Sequence, residues 1–82
     1  MNKVHVILYV PQIDEKYEIF LPISKQIGSI TKLLTKSINE LSDGSFPIKD
    51  SLLYDRETGN MYDLNTTIKE SNIRNGSEII LI

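Results

Sequence analysis

The chain has 82 residues, no cysteine and a formal net charge of −2 at pH 7. It is therefore sized for one domain over residues 1–82, built without disulfides or thiolate metal sites. Near-neutral charge with only two arginines, Arg56 and Arg74, excludes the broad basic face that a dedicated nucleic-acid binder uses.

A domain of this size buries only about 60% of the surface its unfolded chain exposes. Its stability must come from packing, and 25 of the 82 residues are Ile, Leu or Val. Composition of 40% apolar and 24% charged residues is that of a globular chain. The longest apolar run covers residues 6–10, against the ~20 needed to cross a bilayer as a helix. No basic stretch followed by a long apolar run opens the chain. A cytoplasmic protein with no direct membrane insertion is expected.

Residues 4–10 predict a strand, with Val4, Val6, Leu8 and Val10 alternating with His5, Ile7 and Tyr9. Residues 11–15 are turn material, and residues 17–21 predict the return strand of a hairpin. Pro22 should stop the ladder, because it has no N–H to donate. The period then changes. Ile27, Ile30, Leu34, Ile38 and Leu41 are spaced as one stripe of an amphipathic helix. Lys25, Lys32, Lys36 and Glu40 fall off that stripe and should face water. Gly44 can take the left-handed conformation that closes a helix.

Residues 45–50 read as a loop and 51–54 as a short strand. A turn over 55–60 leads to a brief return strand at Met61 and Tyr62. Residues 63–71 are irregular, with one tight helical turn expected at 68–71. Asn75-Gly76 is a turn before a final strand over 78–82, whose run Ile79-Ile80-Leu81-Ile82 lacks polar interruption. A strand of that kind is covered on both faces, as central strands are. The expected fold is α+β: a mixed four- to five-stranded sheet with one main helix packed across one face.

No constellation in the sequence carries chemistry. His5 is the sole histidine, and a zinc centre needs at least three protein ligands. Asp14-Glu15 and Asp55 with Glu57 lie in turns, where nothing raises one carboxyl pKa for acid–base work. Gly28, Gly44, Gly59 and Gly76 are isolated, so no phosphate loop is present. The chain reads as a non-enzyme without catalytic residues, metal or cofactor.

Residues 52–82 resemble the second half of ubiquitin. "LLYD", a polar hairpin turn and "NTTIKESNIRNGSEIILI" follow its strand, turn and closing stretch. Asn72-Ile73, Ile68, Ile79 and Leu81 match core positions there, and Leu21, Ile27, Ile30 and Leu34 repeat the spacing of its first half. The resemblance implies a β-grasp fold. Length and the ending Ser71-Asn72-Ile73-Arg74-Asn75-Gly76-Ser77-Glu78 are similar to the bacterial YukD/EsaB family, associated with type VII (WXG100/ESX) secretion. That resemblance implies a non-catalytic accessory or regulatory protein with protein partners, among them secretion-machine components or a second copy. The alternative is a ubiquitin-like modifier or sulfur carrier. It needs a mobile Gly-Gly tail that can thread narrow clefts, and no glycine follows Gly76 in this sequence.

What remains is a surface. If Val4, Val6, Leu8, Ile19, Leu21, Ile79 and Leu81 face the helix, alternation turns Ile7, Tyr9, Phe20, Ile80 and Ile82 away from it. Leu53 is expected to join them. Six large apolar residues on adjoining strands form a candidate protein-interaction face, since contiguous exposed apolar patches mark docking sites.

Overall fold

The structure, a computed structural model, describes residues 2–82. In chain order it runs β1 (Lys3–Val10), a 3₁₀ turn (Pro11–Ile13), β2 (Glu15–Pro22), α1 (Ile27–Leu41), β3 (Leu53–Asp55) and β4 (Ser77–Leu81). The strands form one four-stranded sheet in the order β2-β1-β4-β3. β1 pairs antiparallel with β2 and parallel with β4, and β3 pairs antiparallel with β4. This is the expected mixed sheet with one helix. The anticipated fifth strand shrinks to a single bridge between Tyr54 and Met61.

Each element follows from local chemistry. The β1–β2 hairpin turns through Asp14 at φ 51°, with Asp14 N–H donating to the Pro11 carbonyl at 3.1 Å. Asp is one of the few L-residues that tolerates that left-handed conformation. β2 runs out at Pro22, as the missing donor requires. α1 closes at its far end through two positive-φ residues, Asp43 and Gly44, and Gly44 N–H donates to the Asn39 carbonyl at 2.8 Å.

At its near end α1 has no side-chain cap on Gln26. Two of the orphan donors of the first turn are instead taken up by the loop over 63–66. Ile27 N–H donates to the Thr66 carbonyl and Gly28 N–H to the Leu64 carbonyl, both at 2.8 Å. Gly28 is what permits this approach. A Cβ there would lie 3.0 Å from the Leu64 carbonyl oxygen. Gly28→Val is therefore expected to cost about 1–3 kcal/mol by overpacking, read as a lower urea midpoint with unchanged slope. Alanine at the same place should cost less, because its helix propensity offsets about 1 kcal/mol.

The core lies between α1 and one face of the sheet. Ile27, Ile30, Leu34 and Ile38 from α1 meet Val6, Leu8 and Val10 from β1 and Ile79 and Leu81 from β4 in one buried cluster. Ile68 and Ile73 complete it, at the positions the ubiquitin resemblance gives them. Leu41 does not belong to it. The stripe predicted Leu41 as core, but it lies at the last residue of α1 and is 69% exposed. The core beneath the helix end is closed by Phe46, from the loop, which is 0% exposed. Asn39 Nδ2 donates to the Phe46 carbonyl at 2.9 Å, and Phe46 N–H donates to Ser42 Oγ at 3.0 Å.

β4 is hydrogen-bonded on both sides, as its unbroken apolar run predicted. Just beyond it, Ile82 N–H donates to the Leu52 carbonyl at 3.0 Å, and Leu52 N–H to the Ile82 carbonyl at 2.8 Å.

Candidate docking surface

The sheet registers lay the outward face out in rows. Tyr9 is level with Lys16 on β2 and Ile80 on β4, and Ile80 is level with Tyr54 on β3. One step away, Ile7 is level with Glu18 and Glu78. Arg56 joins that second row, its N–H donating to the Glu78 carbonyl at 3.2 Å. Beyond the first row, Ile82 and Leu52 lie opposite each other through their paired backbone bonds.

Five of the six predicted residues are on this face. Ile7, Tyr9 and Ile80 are half-buried at its middle. Ile82 is 53% and Phe20 67% exposed. Phe20 stands apart, level with His5 in a third row. Its ring centroid is 5.2 Å from that of His5.

Leu53 is the correction. It pairs with Leu81 on the inward side and is 0% exposed. Side chains alternate along a strand, so a slip of one residue moves the whole set to the other face. The outward residues of this segment are Leu52 and Tyr54, both half-buried. Hydropathy pointed the wrong way here, because the inward positions 51 and 55 are Ser and Asp. Both are buried and both are satisfied. Ser51 Oγ is 2.7 Å from Thr35 Oγ1, and Asp55 Oδ2 accepts from Asn72 Nδ2 at 2.9 Å.

Charged side chains frame the apolar middle. Tyr9 lies between two cations, with the Arg56 guanidinium 5.1 Å and the Lys16 ammonium 5.8 Å from its ring centroid. Arg56 also reaches Glu78 at 3.4 Å, and His5 Nε2 lies 3.1 Å from Glu18. Among the described residues, no three His, Asp or Glu side chains gather as metal ligands would.

On the opposite, inward side of β3 a polar tie holds the edge of the core. The Tyr62 hydroxyl donates to Asn72 Oδ1 at 2.9 Å, and Asn72 in turn donates to Asp55. The Asn72 amide holds the Asp55 carboxyl below its ordinary range, with the Glu57 N–H adding to the effect against the opposing cost of burial. Burial, and then the Asp55 charge, push the Tyr62 phenol up to about 12.

The signs of these shifts give a pH dependence. Asp55 stabilises the fold above the unfolded carboxylate value of about 3.9, and that contribution fades as pH falls below it. Neutral Tyr62 stabilises the fold below pH 10, and its contribution is lost between pH 10 and about 12. Asn72→Ala should remove about 1–2 kcal/mol at pH 7. It should also flatten the acid limb of the stability–pH curve, because the Asn72 amide is the first cause of the Asp55 shift. It should leave the alkaline limb in place, because burial and the Asp55 charge hold up the Tyr62 phenol; urea denaturation from acid to alkaline pH measures both.

No protein-family model matches the chain, and no curated protein matches it. Solved structures do. The whole chain superposes on the ubiquitin-like domain of an Arabidopsis thaliana protein at TM-score 0.68, with 22% identity and 78% of that chain covered. It superposes on a chain of the MycP5-free ESX-5 inner membrane complex at TM-score 0.83 and 15% identity, spanning about a fifth (21%) of that chain. On the ubiquitin-like domain of the Mycobacterium tuberculosis type VII secretion system protein ECCD1 the TM-score is 0.76, at 11% identity over 99% of that chain. At these identities the likeness speaks for the fold, and the chain has the ubiquitin-like β-grasp α+β fold, which it shares with domains of type VII secretion proteins.

Proposed function

We propose that this protein is a non-catalytic, cytoplasmic interaction module of the YukD/EsaB kind, an accessory or regulatory component of a bacterial type VII secretion system. The observation that carries the reading is the outward sheet face. Ile7, Tyr9, Ile80, Tyr54, Leu52 and Ile82 are contiguous across three strands of a β-grasp sheet. A contiguous apolar patch on an outward sheet face is the kind of surface that protein partners cover, which supports this reading. Two solved neighbours that come from type VII secretion proteins support the setting. Fold alone does not determine function, so the surface has the larger part in the argument. No helix among the described residues is long and apolar enough to cross a membrane, and the module would reach a membrane-embedded machine through protein contacts.

The test is made in the host. Deletion of the gene should impair export of WXG100-type substrates. The wild-type protein should co-purify with components of the secretion machine from detergent-extracted membranes, and Ile80→Asp should not. Normal export in the deletion strain together with no machine component captured would overturn the proposal.

A further inference from the structure

We propose that Asn75 is a hydrolytic modification site, masked in the folded chain by β1 and uncovered when the start of β4 comes away from it. Asn75-Gly76 is the one asparagine–glycine pair in the sequence. Glycine has no side chain to shield its peptide nitrogen, so in an open chain that nitrogen reaches the asparagine side chain. The Gly76 nitrogen gives its proton to water and bonds to Asn75 Cγ. The Cγ–Nδ2 bond breaks, ammonia leaves and a succinimide ring closes. Water then opens the ring at either carbonyl, to an aspartate or to an isoaspartate whose main chain runs through Cγ. In sum, an amide and water become an acid and ammonia.

The folded chain blocks this reaction without burying the pair, since Asn75 and Gly76 are both exposed. His5 grips both reacting groups from β1. Its N–H donates to Asn75 Oδ1, and its carbonyl accepts from the Gly76 N–H, both at 2.8 Å. The proton that must leave is therefore turned toward a carbonyl and away from water. The pair also forms the centre of a tight turn, closed by Ser77 N–H donating to the Arg74 carbonyl at 2.9 Å, with Gly76 at φ 87°. Positive φ at the third residue and not at the second makes this a type II turn, in which ψ of the second residue, Asn75, is near +120°. That value directs the Gly76 nitrogen away from the Asn75 side chain, whereas ring closure needs the nitrogen and Cβ eclipsed about the Cα–C bond.

Release of both bonds to His5 is the step that admits the reaction. It is expected to hold the folded rate about 30-fold below that of the unfolded chain, the equivalent of about 2 kcal/mol. An opening of that size is local rather than global. The isoaspartate adds one backbone carbon to the turn that brings Val6 level with Ser77 and Tyr9 level with Ile80. The lengthened turn no longer fits both bonds to His5, so the mask does not re-form on that product.

Mass spectrometry of the purified chain, aged in mildly alkaline buffer with and without denaturing guanidinium chloride, tests this. In denaturant the mass should rise as an amide becomes an acid, and proteolytic peptides should place the change at residue 75. The folded chain should gain it about 30-fold more slowly. Denaturant below the unfolding transition should leave the slow rate nearly unchanged, because a local opening exposes little surface. The Gly76 amide should be protected from hydrogen exchange by a similar factor. Asn75→Asp keeps an oxygen for the His5 N–H and should fold, yet lack the fast gain in denaturant. Equal rates in the folded and unfolded chains, an unprotected Gly76 amide, or a fast gain that persists in Asn75→Asp overturns the proposal.

Discussion

Phe46→Ala is expected to remove about 3–5 kcal/mol of stability, the range for truncating a buried aromatic. At about 0.05–0.15 kcal/mol per residue, a domain of this length holds roughly 4–12 kcal/mol in total. One loop residue thus carries a large fraction of the fold. The reason is geometric. α1 ends at Leu41, whose side chain is exposed, and Phe46 is the large side chain that closes the core at that end. Its loop is pinned there by Asn39 and Ser42. The Lys49 ammonium lies 4.8 Å from the centroid of its ring. Urea denaturation followed by circular dichroism measures the loss. Leu41→Ala supplies the contrast, with a change below about 0.5 kcal/mol as for an ordinary surface position. Equal losses at the two positions would contradict this account of how the core is closed.

The second large effect separates two apolar residues that the sequence alone places together. Leu53→Asp puts a carboxylate on the fully buried face of β3, opposite Leu81 and without a partner. An unpaired buried charge costs several kcal/mol, so this variant is expected to be unfolded at room temperature. Ile80→Asp places the same group on the outward face, half-exposed beside Tyr9 and Tyr54. Its expected cost is about 1–2 kcal/mol, for partial loss of apolar burial, and the far-ultraviolet spectrum should remain that of the wild type. What it should lose is binding, in co-purification with secretion components. If Ile80→Asp unfolds the chain, or if Leu53→Asp leaves it intact, the assignment of faces is wrong.

These two experiments mark the places where sequence and structure part. Periodicity determined most of the architecture. The alternation of β1, the change to helical spacing at Ile27 and the unbroken run at Ile79–Ile82 each have one physical solution, and together they call for a helix across a sheet with the last strand inside it. The outward positions of Ile7, Tyr9, Phe20, Ile80 and Ile82 followed from the same alternation.

The residues that went astray are those whose surroundings come from distant parts of the chain. In Ser51-Leu52-Leu53-Tyr54-Asp55, hydropathy favours burying Leu52 and Tyr54. The structure buries Ser51, Leu53 and Asp55 instead. That register is affordable only because Thr35, 16 residues away, and Asn72, 17 residues away, supply the hydrogen bonds the two polar groups need. In the same way, α1 starts without a side-chain cap because the loop over 63–66 brings its carbonyls to Ile27 and Gly28. Local spacing, being a property of the chain itself, determined the elements and their apolar faces. Only the tertiary structure could decide which polar groups are allowed inside, because that depends on partners which folding alone brings within reach.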